Sequence, residues 1–327
     1  MKLMRLKVAA ALILFVVASW AQGPNNSGTY YQNADGTKGR ELKTAMYYII
    51  SENTRALSYN ELWKAFKETD ARDDGKVWDM YSGVTNYRFG TDQAGQVKSE
   101  GTNYNREHSF PKSWFDEGKP MYTDLFHLYP VDSWVNSCRS NLPFGEVDLN
   151  KKHKGSKNMF SKWGTSKVKG YTGKVFEPND EYKGDFARTY FYMATRYEDM
   201  ISHWNCDMLN HDSYNAYKPW AIEMLLRWAK EDPVSKKEID RNNAVKKLQG
   251  NRNPFIDYPG LEQYIWGDKK DKAFNYDNYG SENTGIDNVE NDDVNSDNGA
   301  LYDIFGRKVN EYYKGIVIKK GKKVLVN

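Results

Sequence analysis

From about Val77 to Gly145 the sequence gives up helical periodicity for Gly, Pro, Asn and short apolar runs, while both flanks keep it. Helix-patterned flanks around a strand-and-loop centre imply an α+β domain, mainly helical. Upstream, Leu42, Ala45, Met46, Ile49 and Ile50 recur at helical spacing, and Ser58 with Glu61 forms a capping-box pair. Downstream, Phe186, Tyr190, Met193, Ala194, Tyr197 and Ile201 share one helical face. Residues 218–232 read as another helix before Pro233, and a third starts at Ser235 and Glu238 and stops at Gly250. Loops held by such a scaffold are where chemistry usually sits.

The two ends of the 327-residue chain are set apart. Lys2, Arg5 and Lys7 precede an apolar run from Val8 to Val17, then small residues around Trp20. That order is a secretory signal peptide, expected over residues 1–21. Removing it leaves 44 charges of each sign. Residues 275–298 hold Asp277, Glu282, Asp287, Glu290, Asp292, Asp293 and Asp297 with no Lys or Arg, a composition expected to be a disordered linker. Residues 299–327 alternate apolar residues with Gly306, Gly315 and Gly321 at the breaks, so short strands and turns are expected. The remaining 22–274 is one domain by size. Ten Trp and 24 Tyr supply a core, and a mean hydropathy of -0.84 excludes a polytopic membrane protein. Cys138 and Cys206, the only two cysteines, exclude a disulfide-rich scaffold; they can pair or stay thiols.

The central segments YNREHSFPKSWF (104–115) and TDLFHLYPVDSWVNSCRSNLPFGEV (123–147) carry the chemistry-bearing residues. Adjacent Glu107 and His108 can share a site only at a strand end or bend. Leu125 to Leu128 reads as a second strand ended by Pro130, and Asp132 as the cap of a helix through Trp134, Val135 and Cys138. On that helix Asn136 and Arg139 face the same way. A neutral imidazole can take a proton from water. Glu and Asn offer hard oxygens to Mg2+, which keeps most of its waters, and Arg forks onto phosphate. The set suits phosphodiester cleavage. There is no HExxH spacing and no Gly-rich phosphate loop.

The motifs NREHSFPKSWF, DLFHLYPVDSWVNSCRSNLPFG and QGNRNPFIDYP, with VWDMYS at 77–82, RTYFYMATRY at 188–197 and LLRWAKEDPVSKKEIDRNNAV at 225–245, resemble the endonuclease I family of secreted nucleases. The resemblance spans roughly residues 30–268. It implies a ββα-metal (His-Me) finger inside the helical domain and Mg2+-dependent, largely sequence-non-specific hydrolysis of DNA, often also RNA, to 5′-phosphate ends. Mn2+ or Ca2+ are alternative metals. By the family's motif His108 is the general base, Glu107 and Asn136 are metal ligands, and Arg139 contacts phosphate or leaving group, with Arg106 the competing choice. Family members usually carry several disulfides, which this chain cannot. The tail phrases DIFGRKV, KGIVI and GKKVLVN resemble the sorting domain of type IX (Por) secretion substrates, implying recognition by an export machine.

Other residues admit two readings. His127 can touch DNA, orient the site or be structural, and Asp124 is read as a turn or helper residue. Asn141 can join the metal shell or cap the helix end. Asn251, Arg252 and Asn253 are read as a structural clasp on the finger, with a direct phosphate role as the alternative. Lys151, Lys152, Lys154, Lys157, Lys162, Lys167 and Lys169, interleaved with Phe160, Trp163 and Tyr171, form either a nucleic-acid-binding strip or a solvated loop. The expectation is a secreted, extracellular, cell-surface or periplasmic endonuclease, monomeric, with no protein partner beyond the secretion machinery. The alternatives are an RNA-preferring ribonuclease of the same family and a catalytically idle nucleic-acid-binding protein.

Overall fold

The computed structural model describes residues 23–93, 95, 97, 99–277 and 279, together with the strand backbones of 301–303, 308–309, 315–319 and 322–326. The expected signal segment and nearly all of the expected linker lie outside the described residues. The chain divides into two units, one running through Tyr279 and one beyond it. Among the described residues no helix is long and apolar enough to cross a membrane.

The first unit is mixed α and β. In chain order it holds α1 (Gly39–Ser51), α2 (Leu62–Thr69), β1 (Tyr104–His108), β2 (Leu128–Asp132), α3 (Ser133–Arg139), β3 (His153–Gly155), β4 (Lys162–Thr165) and β5 (Lys174–Glu177). Then come α4 (Lys183–Arg196), α5 (Pro219–Glu231), α6 (Lys236–Gln249), α7 (Pro254–Asp257) and α8 (Leu261–Ile265). The helix ends obey local chemistry. Ser58 and Glu61 exchange hydrogen bonds one turn ahead of α2. Ser235 and Glu238 form the capping box of α6, and Gly250, at φ 94°, ends it in the left-handed conformation.

Helix α4 departs from the expected one-sided pattern. It stops at Arg196, and residues 184–195 are buried all round. A helix enclosed by neighbours has no solvent face to keep polar. It packs against α1, α5 and α7. Its Phe186 and Tyr190 also meet Phe144, at ring-centroid distances of 4.7 and 5.3 Å, and Tyr190 meets Phe110 at 5.2 Å. Each buried ring contributes about 1.5–3 kcal/mol of transfer free energy. These contacts pin the segments just after β1 and just after α3 to the core.

β1 and β2 form a two-stranded antiparallel sheet in which Glu107 faces Tyr129 and Arg106 faces Pro130. The second strand is therefore displaced from its expected place. Leu125–His127 is a 3-10 turn, capped by the Asp124 side chain at Phe126 N, and the strand begins at Leu128. Pro130 lies inside that strand instead of ending it. In a two-stranded sheet every strand is an edge, so a missing N–H on the outer side costs no ladder bond. Asp132 caps α3 as expected, accepting from Trp134 N and Val135 N at 2.9 Å each.

The lysine-rich stretch is not a plain loop. β3, β4 and β5 make a three-stranded antiparallel sheet in that order. The core also runs past the expected boundary at 274, because Tyr276 and Tyr279 are buried with Phe274. Taken by itself, the second unit contains β6 (Leu301–Asp303), β7 (Lys308–Val309), β8 (Gly315–Lys319) and β9 (Lys322–Val326), antiparallel in the order β7-β6-β8-β9. Short strands were expected there.

Candidate active site

The end of β1 and the outer side of α3 open onto a cavity of about 440 Å³. Asn105, Arg106, Glu107 and His108 of β1 line it with Asn136, Ser137, Ser140 and Asn141 from α3 and its end. Tyr59, Pro111, Lys112 and Ser113 complete the rim. Glu107 and His108 share the cavity because His108 is the last residue of the strand.

His108 is buried, and its Nε2 lies 3.0 Å from the Tyr122 carbonyl oxygen. A carbonyl only accepts, so Nε2 carries the proton and Nδ1 keeps the lone pair. Burial, and then the neighbouring His127, push the His108 pKa down to about 3. The ring is therefore neutral near pH 7. Tyr59, roughly parallel to it at 6.3 Å, and Tyr122, at 5.2 Å, flank the ring.

Glu107 is buried beneath the cavity floor. Tyr81 Oη donates to its Oε1 at 2.8 Å and Arg139 Nη1 donates to the same oxygen at 2.6 Å. Neither bond uses Oε2. Burial raises the carboxyl pKa, and the Arg139 charge, Tyr81 and Asn136 oppose the rise. Asn136 is half-buried, and its Nδ2 donates to Asn105 Oδ1 at 2.8 Å, which orients the amide and leaves its carbonyl oxygen outside that bond.

Arg139 is corrected. It does not line the cavity and is completely buried. Besides Glu107, it donates to the carbonyl oxygens of His108 at 3.0 Å and Ser109 at 2.7 Å. Enclosed away from the cavity, with Nη1 and Nη2 held on those oxygens and Nε buried without a partner, it does not reach a phosphate there. It is a positioning residue that clamps the strand end carrying Glu107 and His108. Arg106 is the guanidinium that reaches the cavity. Its Cζ lies 3.5 Å over the Tyr59 ring centroid and 4.3 Å over that of Trp63, and Nη1 donates to Tyr59 O at 2.7 Å. Held between two rings, it is pre-organised as a fork.

His127 is also corrected as a candidate contact. It is fully buried 5.5 Å behind His108, with Nε2 on the Met121 carbonyl at 2.7 Å. Asp124 accepts from Tyr192 and Tyr197 hydroxyls at 2.8 and 2.7 Å and from Gln249 Nε2 at 2.8 Å. Asn251 Nδ2 reaches Ile50 O and Tyr192 Oη, Arg252 pairs with Asp257, and Asn253 caps α7. Asp124, Gln249 and Asn251 thus tie the β1–β2 connection to the core, while Arg252 and Asn253 bond to Asp257, Asn25, Asn242 and Arg188. Asn141 is exposed and lines the cavity, next to Ser140, which ends α3.

None of the lysines in 151–170 lines the cavity. Lys151, Lys152, Lys154 and Lys157 are exposed on or beside β3. Trp163 is half-buried, stacked on Phe176 at 6.3 Å and edge-on to Trp134 of α3 at 6.0 Å, so its ring is committed to packing. Cys138 and Cys206 are both free thiols. The residues that sequence reasoning missed are Asn105, Lys112 and Tyr59. Asn105 is two before Glu107 and so on its side of the strand, and Lys112 follows His108 by four. Tyr59 comes from a distant loop and carries no local signal.

Among the described residues no three His, Cys, Asp or Glu side chains converge as a metal cluster. The cavity offers two hard oxygens, Glu107 Oε2 and the Asn136 carbonyl. That pair fits a cation that keeps most of its waters, such as Mg2+. It does not fit zinc, which takes three or four protein ligands.

Residues 38–260 match the family Endonuclease I. The extracellular ribonuclease of Bacillus subtilis (strain 168) is 38% identical over 248 residues, covering 74% of this chain and 79% of that protein. The extracellular ribonuclease of Bacillus amyloliquefaciens is 38% identical over 245 residues, 73% and 78% respectively. An extracellular deoxyribonuclease of Aeromonas hydrophila is 28% identical over 142 residues, 43% of this chain and 52% of that protein. The chain is thus a nuclease, not an idle binding protein, and it belongs to the endonuclease I family.

Proposed function

We propose that β1, β2 and α3 are a ββα-metal (His-Me) finger, and that the protein is a secreted, metal-dependent endonuclease cutting DNA and RNA strands with little sequence preference. The carrying observation is His108: a neutral ring, anchored at Nε2 on Tyr122 O, opening onto the cavity that Glu107, Asn136 and Arg106 line. Nδ1 takes the proton from the attacking water. Tyr122 O steadies the imidazolium that results, and the Tyr59 and Tyr122 rings keep it in plane. Arg106 orients the phosphate through its free guanidinium edge. A divalent cation bound by Glu107 and Asn136, Mg2+ first and Mn2+ or Ca2+ as substitutes, supplies charge stabilisation for the phosphate and leaving oxygen. Arg139 opposes the upward pull of burial on the Glu107 carboxyl and holds it in place. The products carry 5′-phosphate ends.

The relatives matched over most of their length are extracellular ribonucleases, which favours a second reading in which RNA is the preferred strand. Extracellular and periplasmic names among the relatives support secretion, and the strands after Leu301 support a sorting role for the tail. The test is parallel digestion of plasmid and structured RNA with Mg2+, with EDTA and by His108→Ala. Cleavage of both by the wild type, lost in EDTA and in the variant, is expected. An intact plasmid beside degraded RNA selects the second reading, and no cleavage of either sinks both. Mass spectrometry of the secreted product checks the tail: a mature protein still ending at Asn327 counts against a cleaved sorting signal.

A further inference from the structure

Beside the His108 cavity lies a second one of about 430 Å³. Ser113 and Asn141 line both, so the two are contiguous. The volume falls within the roughly 300–1,000 Å³ of small-molecule sites. Trp114, Leu142 and Pro143 give it apolar lining, and Tyr171, Lys174 and Asp207 line it as well.

The Tyr171 wall is built rigidly. Its ring stacks on Trp220 at a centroid distance of 4.4 Å and an interplanar angle of 11°. Its hydroxyl donates to Asp207 Oδ2 at 2.5 Å. A Cβ at Gly173 would overlap that hydroxyl, so the glycine leaves room for the ring. Tyr171 itself is only half-buried. Asp207 is exposed and keeps Oδ1 outside the tyrosine bond. A carboxylate repels phosphate, but it accepts from the amino groups of bases and from sugar hydroxyls. The cavity is therefore suited to the uncharged part of a nucleotide, with Lys174, exposed at the start of β5, left for the flanking phosphate.

We infer that this second cavity seats the base and sugar of the nucleotide adjoining the scissile phosphate, on one defined side of the cut. The inference rests on the nuclease reading of the His108 cavity. It makes the enzyme a reader of strand geometry next to the bond, through a stacking wall that tolerates any base.

The test uses end-labelled single-stranded oligonucleotides carrying one abasic residue at a known place, with cleavage at each bond read on a sequencing gel in Mg2+. In the wild type, the bond next to the abasic residue on one side should be cut about tenfold more slowly, the scale of a single base stacked on an aromatic ring. Tyr171→Leu keeps an apolar partner for Trp220 and should cut the intact strand about tenfold more slowly, with no further footprint at the abasic residue. Leu142→Trp, which fills the cavity from another lining position, should also erase the footprint. A wild type that cuts the strand with no such footprint, or a footprint that survives in both variants, overturns the subsite and leaves the nuclease reading standing. A wild type that cuts no intact strand overturns both.

Discussion

The two sides of the β1–β2–α3 unit are built on opposite principles. Behind it, Asp124, Gln249, Asn251, Tyr192 and Tyr197 hydrogen-bond one another, and the Arg241 guanidinium holds Asp70 and the carbonyl oxygens of Leu125 and Leu128. In front, the groups that face the cavity hold a capacity in reserve: His108 Nδ1, Glu107 Oε2, the Asn136 carbonyl and the outer edge of Arg106. A buried polar group left without a partner costs about 1–3 kcal/mol, so the dense bonding of the back stabilises the fold, with His127 Nδ1 and Arg139 Nε the atoms it leaves unpaired. The front carries its uncommitted groups at a cavity, where water or substrate satisfies them. Arg139 belongs to the back in its bonding, although its partner Glu107 serves the front.

Substitutions on the two sides should therefore separate activity from stability. The largest effect is expected for His108→Ala, which should lower kcat by about 10²–10⁴-fold, the usual contribution of a general base. Its thermal midpoint should stay near the wild type. Equal losses of rate and midpoint would erase the distinction. Next is Arg139→Ala, which strands a buried carboxylate and should cost about 3–5 kcal/mol by denaturant unfolding. Arg139→Lys should recover only part of this, since one ammonium cannot span Glu107, His108 O and Ser109 O. Asp124→Asn should cost about 2 kcal/mol through weakened bonds to Tyr192, Tyr197 and Gln249, while turnover per folded molecule is kept. A fall in turnover as deep as that of His108→Ala would mean that the clasp takes part in the reaction.

Two smaller effects sharpen the front. Arg106→Lys loses the fork and the stack between Tyr59 and Trp63, and should raise KM roughly tenfold with a smaller change in kcat. Combined Ala substitution of Lys151, Lys152, Lys154 and Lys157 should leave kcat unaltered and flatten the salt dependence of KM, by about 0.7–0.9 in log-log slope for each phosphate that a lysine no longer neutralises. An unchanged slope would make the sheet around β3 a solvated surface and nothing more.

Much of this division was legible beforehand. The capping boxes at Ser58 and Ser235, the Asp132 cap and the stop at Gly250 are local events that neighbouring residues dictate. Glu107, His108 and Asn136 were singled out by the family motifs and by the expected strand exit after His108, whereas helix spacing grouped Arg139 with Asn136 and the structure does not bring Arg139 into the cavity. The helical face expected for α4 was misjudged because periodicity reports amphipathicity, and a fully enclosed helix has none to report. Pro130 misled because its effect depends on whether the strand lies at an edge.

By itself, then, the sequence brought Glu107, His108 and Asn136 forward as candidates and determined the start of α3 and both ends of α6, since these depend on groups a few positions apart. Only the tertiary structure decided between the two arginines. Arg139 and Arg106 are equally basic as residue types. One is enclosed by Glu107, Phe144 and the carbonyl oxygens at the strand end, and the other is held between Tyr59 and Trp63 with an edge facing the cavity. Burial and the full set of hydrogen-bond partners set a guanidinium's role, and those partners come from segments far apart in the chain.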